Sequence, residues 1–171
     1  MVEDGHETPA ALVRATRELG LPPGRNPPSA DEIQAAIAEH RALFRPQQHQ
    51  QLTAQRELAR EAMQALAEFR PRLFGSLVDG SGPLERIRLL LECDSAEAVM
   101  MALQDRHIPW QESEVELNYS GGRRHAWPAL RFRAGDSTVE LVIVDAGRYS
   151  DPPFDPLTGA RLRTLDADEL A

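Results

Sequence analysis

The sequence contains no lysine: all 19 of its basic residues are arginine. That excludes Schiff-base chemistry, the phosphate-loop lysine and every other mechanism that needs an ε-amine. There is one cysteine, Cys93, so no disulfide can form within the chain, which agrees with a reducing compartment. Its place at the end of an apolar strand reads as that of a buried, inert thiol. No apolar run approaches the roughly 20 residues that span a bilayer. The first residues, MVEDGHETPAALV, are acidic where a secretion signal is basic and then apolar. The expectation is a cytoplasmic protein. Excess positive charge is lacking too. The formal net charge is −8, which argues against general nucleic-acid binding, because that affinity rests on neutralising phosphates. The five histidines show no metal-ligand spacing, and His40 and His107 read as helix-end or half-buried residues. There is no Gly-rich Lys-Ser/Thr loop, and GSGP is too short for a dinucleotide fingerprint.

What is present has the make-up of a globular domain: 171 residues, 42% hydrophobic and 27% charged, room for one domain with a small helical extension. Residues 1–70 read as that helical segment. TPAALVRATRELG has Ala11, Leu12, Ala15 and Leu19 near helical spacing and stops at Gly20; LPPGRNPP is a proline-broken connector. SADEIQAAIAEHRALF opens on a capping box, Ser29 to Glu32, with Ile33, Ile37 and Phe44 on one face. Pro46 is expected to interrupt. A third helix, roughly Gln48 to Phe69, puts Leu52, Ala59, Met63, Leu66 and Phe69 on one stripe before Pro71 ends it.

From Pro71 the hydrophobic period changes, and residues 71–171 read as a domain with an irregular C-terminal tail. RLFGS and RIRLLLEC are strands, the second with Ile87, Leu89 and Leu91 on one face. Asp94 and Glu97 frame a helix in which Val99, Met100 and Leu103 face inward. SEVELNY alternates Val115, Leu117 and Tyr119 against Glu114, Glu116 and Asn118, and ALRFR turns Leu130 and Phe132 inward. STVELVIVD is nearly continuous, as a central strand should be. SGGRRH between them is a hairpin turn. Three helices followed by β-β-α-β-β-β make an α+β fold with a small mixed or mostly antiparallel sheet.

LFGS, a nine-residue connection and RIRL resemble the signature of the nucleotidyltransferase fold, shared by DNA-polymerase-β-like and minimal nucleotidyltransferases. The whole chain resembles a group of bacterial proteins that join a helical N-terminal segment to that domain. The resemblance implies that Gly75 and Ser76 contact phosphate through backbone and hydroxyl and that Glu140 stands where a third carboxylate is expected. It also implies two acids at the positions of Arg86 and Arg88, holding divalent metals against a nucleotide. The arginines reverse that chemistry. Guanidinium has no lone pair to offer, and a divalent ion about 4 Å away meets roughly 8 kcal/mol of repulsion at an effective dielectric near 20. The expectation is therefore a degenerate metal site with no metal cofactor. Gly75, Ser76, Arg86, Arg88 and Glu140 are candidate contacts to a nucleotide or another phosphate-bearing molecule, since arginine's planar fork pairs with phosphate oxygens.

Three other readings stay open. The N-terminal helices offer a surface for a partner protein or a homodimer. Displaced acids among Asp79, Glu85, Glu92 and Asp94 would restore a magnesium-dependent transferase. Alternatively, Arg86, Arg88 and Glu140 form an inert salt-bridged patch in a structural or regulatory module. Arg123, Arg124 and His125 read better as a solvated hairpin tip than as a phosphate contact.

Overall fold

A computed structural model of the chain describes residues 30–156 and 158–170, with side chains described from residue 46 onward. The expected helix before Gly20, the connector after it and Ser29 of the capping box lie outside the described residues, as do the side chains of Ile33, Ile37 and Phe44. The chain divides into two compact units, Met1–Pro46 and Gln47–Ala171, and the β-sheet belongs wholly to the second.

The first described element corrects the reading at Pro46. One helix, α1 (Ala30–Ala65), runs through the proline. Pro46 has no N–H to give the carbonyl of residue 42 and strains the turn before it. The flanking runs, rich in Ala, Gln, Glu, Arg and Leu, are strong helix formers and carry the helix across. α1 also ends earlier than expected, at Ala65. Leu66 follows it and Phe69 lies in a 3-10 turn, Ala67–Phe69, that closes on Arg70 at φ 51°.

Then come β1 (Arg72–Phe74), the one-turn helix α2 (Ser76–Asp79), β2 (Arg86–Glu92), α3 (Ala96–Asp105), β3 (Gln111–Asn118), β4 (Arg124–Ala134) and β5 (Ser137–Val144). The five expected strands are present in the expected order, with the one-turn helix α2 added between the first two, and the fold is α+β with a five-stranded mixed sheet ordered β1-β2-β5-β4-β3. The continuous apolar strand β5 is central. It pairs in parallel with β2 and antiparallel with β4.

The helix start is corrected by one residue. Ser95, not Asp94, is the N-cap of α3, and the Asp94 carboxylate accepts from the Ala146 amide at 2.9 Å. Cys93 is half-buried, its thiol donating to the Ser95 carbonyl at 3.1 Å. His107 follows α3 with φ 57° and is exposed.

Period-2 alternation sends the two faces of the sheet to different environments. Leu73, Ile87, Leu89, Leu91, Leu130, Val139, Leu141 and Ile143 face α1 and α3, packing with Ala59, Met63, Leu66, Val99 and Leu103 in the main core. On the opposite face Phe74, Leu90, Val115, Leu117, Tyr119, Trp127, Ala129, Val142 and Val144 form a second cluster, with Tyr149 and Leu162 of the C-terminal segment packed against it. This second cluster occupies only part of its face. The rest of it is polar.

Candidate functional site

The polar part of that face is set by register. Arg86 lies opposite Thr138 and Arg88 opposite Glu140 across the parallel β2–β5 pair. Across β5–β4, Thr138 meets Arg133 and Glu140 meets Arg131. Two rows therefore cross three strands: Arg86–Thr138–Arg133 and Arg88–Glu140–Arg131. Four arginines surround one carboxylate.

Glu140 is the fixed point. Its side chain is only 1% exposed, and its two oxygens are divided between two guanidiniums. Arg88 donates Nε–H to Oε2 at 2.6 Å and Arg131 donates Nε–H to Oε1 at 2.8 Å. Burial alone would raise the Glu140 pKa. The hydrogen bond and charge of Arg88, and then those of Arg131, outweigh burial and hold it below the ordinary 4.5. Arg88 is also steadied from below, its guanidinium carbon 4.5 Å from the centre of the Phe74 ring.

Beside this row lies a cleft of about 430 Å³ lined by Gly75, Ser76, Pro83, Glu85, Arg86, Arg88 and Thr138. Four of the five residues picked out from the sequence line it, and the fifth, Glu140, is bonded to one of them. The wall opposite β2 is the segment 75–83. Gly75 sits at φ 87°, ψ −155°, a conformation essentially reserved for glycine. A Cβ there would lie 3.4 Å from Arg88 Cδ. Gly75→Ala is thus expected to cost about 1–3 kcal/mol, read as a lower urea midpoint with unchanged m-value.

Ser76 lines the cleft and is bonded within the protein. Its hydroxyl donates to the Pro83 carbonyl and holds the two ends of the segment together, so its proton is not available to a ligand. Arg56 of α1 braces the same segment by donating to the Leu77 and Val78 carbonyls at 2.9 and 2.7 Å. These are carbonyls that the end of α2 leaves unpaired.

Arg86 differs from Arg88. Its side chain is exposed and, among the described residues, has no hydrogen bond, ion pair or ring contact. The acids weighed as displaced ligands are scattered. Asp79 accepts from the Ser81 amide and hydroxyl. Glu92 is buried, accepts from the Tyr149 amide and faces Arg70 at 2.9 Å. Asp94 is bonded to Ala146, and Glu85 is among the residues lining the cleft. Among the described residues no three His, Cys, Asp or Glu gather as a metal-holding group. The residues at the implied metal position, with Arg88 bonded to Glu140, do not fit a divalent ion.

A second cavity, of about 480 Å³, is lined by Arg70, Arg72, Tyr149 and Asp166 among others. Its cations already have partners. Arg70 faces Glu92, Arg72 faces Asp166 at 3.8 Å, and both lie against the Tyr149 ring at 5.9 and 5.6 Å. Tyr149 is anchored in turn through its hydroxyl to the Leu90 carbonyl, 2.8 Å away, and burial raises its pKa.

Arg131 and Arg133 are not among the residues picked out from the sequence. The signal was present: RFR in β4 repeats the i, i+2 spacing of RIR in β2, and turning Leu130 and Phe132 inward puts both arginines on the other face. The hairpin-tip arginines pair with residues that do not line the cleft, Arg123 with Asp151 and Arg124 with Glu116.

No family model matches the chain, and no curated protein matches it. Among the described residues no helix is long and apolar enough to cross a membrane.

Proposed function

We propose that this is a nucleotidyltransferase-like protein that binds a phosphate-bearing small molecule, a nucleotide first among candidates, in the cleft beside Arg86 and Arg88, and that it does so without a divalent metal and without group transfer. The observation that carries the reading is the division of labour on β2. Arg88 is committed to Glu140 through Nε, while Arg86, one pair along the strand, is a cleft-lining guanidinium with no partner among the described residues. A free planar fork at the wall of a concave site suits a phosphate oxygen pair. The nucleotidyltransferase likeness is supported by the register that sets Arg88 beside Glu140 and by the turn that follows β1 at Gly75 and Ser76. Nothing comparable favours a partner protein over a small ligand.

The test is a thermal-shift and calorimetric titration with nucleoside phosphates, first with a chelator and then with magnesium. Binding is expected in the chelator, stabilising the fold by about 2.7 kcal/mol at a hundred times Kd. Added magnesium should weaken it by competing for the same oxygens. Binding that appears only with magnesium would overturn the reading in favour of a displaced-acid transferase. A chain that ignores every phosphate ligand leaves the inert patch.

A further inference from the structure

The cleft is lined by only two of the four arginines in the two rows. Arg133 is exposed and shares the outward parity of Arg131, and its side chain has no hydrogen bond, ion pair or ring contact among the described residues. It mirrors Arg86 across β5, with Thr138 between them. Thr138 gives its amide to the Glu85 carbonyl at 2.9 Å, and its hydroxyl has no protein partner among the described residues. The Nη groups of Arg88 and Arg131, whose Nε atoms are held by Glu140, likewise have no protein acceptor among the described residues. A chain with formal net charge −8 thus places four guanidiniums on one patch against a single paired carboxylate, with Glu85 among the residues lining the cleft.

We infer that the site extends across β5 onto β4 and takes a ligand with two separate phosphoryl groups, one at Arg86 and Arg88 and the other at Arg133 and Arg131. The inference rests on the cleft reading and specifies its ligand. The spacing argues for separate groups. Arg86 and Arg133 stand on strands two apart, about 10 Å between backbones at the usual strand spacing, and no shared carboxylate draws their guanidiniums together as Glu140 draws those of Arg88 and Arg131. The strand between them offers a hydroxyl at Thr138 and a carboxylate at Glu140, and no cation. A ligand lying along the Arg86–Thr138–Arg133 row therefore meets positive charge at its ends and a hydroxyl at its middle, with the Glu140 carboxylate already bonded to Arg88 and Arg131 in the next row. A sugar bisphosphate has that pattern, including a nucleotide phosphorylated on two ribose carbons; the contiguous chain of a nucleoside di- or triphosphate does not.

The test is magnesium-free calorimetry of the full chain and of Arg133→Gln with fructose 1,6-bisphosphate, fructose 6-phosphate and pyrophosphate. The bisphosphate is expected to bind the native chain ten- to a hundredfold tighter than the monophosphate, the scale of one charge-assisted hydrogen-bonding partner. Arg133→Gln should remove that gain while lowering monophosphate affinity far less than bisphosphate affinity. Because Arg133 is exposed and unpaired, the variant should keep the native melting temperature. Equal affinity for mono- and bisphosphate, or a gain that survives in Arg133→Gln, overturns the two-group site. If the monophosphate still binds and is lost in Arg86→Gln, the cleft reading stands without it. A pyrophosphate affinity that falls as far in Arg133→Gln as the bisphosphate affinity overturns the separation of the groups. Absence of binding by all three removes both readings.

Discussion

Glu140→Gln is expected to lower stability by about 2–3 kcal/mol at neutral pH, read as the urea midpoint. The carboxylate divides its two oxygens between Arg88 and Arg131. A carboxamide keeps the shape but turns an N–H donor toward one of two guanidiniums that can only donate. One hydrogen bond to a charged group is lost outright and the other loses its charge assistance. Breaking a fully buried pair costs about 3–5 kcal/mol. The value here should fall below that because the arginine side chains are 30% and 42% exposed and can recover water. The same change bears on ligand binding. Glu140 is the only acidic residue in the two rows, so its neutralisation should tighten phosphate binding. A native chain that binds no phosphate while Glu140→Gln does would mean that the internal carboxylate closes the site, and the proposed function fails.

The pH dependence has a definite sign. Glu140 has a folded pKa below its ordinary 4.5, so its ionised form is favoured by the fold. The resulting stabilisation is fully present above about pH 4.5 and is lost as pH falls from there through the lowered folded value. The stability gap between the native chain and Glu140→Gln should be constant from neutral pH down to about pH 5 and narrow below 4.5. A gap that stays constant to pH 3 would remove Glu140 as the titrating group.

The faces of the strands can be read from alternation alone, and with them most of the candidate site. In RIRLLLE and STVELVIV the apolar positions settle which side is core, and Arg86, Arg88, Thr138 and Glu140 then fall together on the other. Their being neighbours cannot be read this way. That depends on the parallel pairing of β2 with β5, whose partners Arg88 and Glu140 lie 52 residues apart, and local pattern carries no register across such a distance. The same limit hides Arg131. Its place opposite Leu130 and Phe132 is plain in the alternation, yet only the β5–β4 register shows that it shares Glu140 with Arg88. At Pro46 the discrepancy is of another kind: a local rule about proline meets a long run of helix-forming residues, and the run prevails. Ser76 needs its surroundings as well, because nothing in GSLVDGSGP states that the hydroxyl will close on Pro83.

Arg86→Gln and Arg88→Gln should separate binding from folding. Arg86 has no partner among the described residues, so its loss is expected to leave stability within about 0.5 kcal/mol of the native value. Affinity for a phosphate ligand should still drop ten- to a hundredfold, the roughly 1.5–3 kcal/mol of one hydrogen-bonded charge. Arg88→Gln should show both effects. It removes a cleft donor, takes one of two cations from a buried carboxylate and strips the guanidinium from the Phe74 ring. Part of its stability loss should return in Arg88→Gln/Glu140→Gln, since the uncompensated carboxylate is then gone. The double variant should therefore be more stable than the sum of its parts predicts. Ser76→Ala gives the internal comparison. Its hydroxyl is already bonded to Pro83, so any loss of affinity arises through slackening of the 75–83 segment and should be smaller than either arginine effect. Equal losses of affinity at Ser76 and Arg86 would place the ligand's main contacts on that segment rather than on the guanidinium wall of β2.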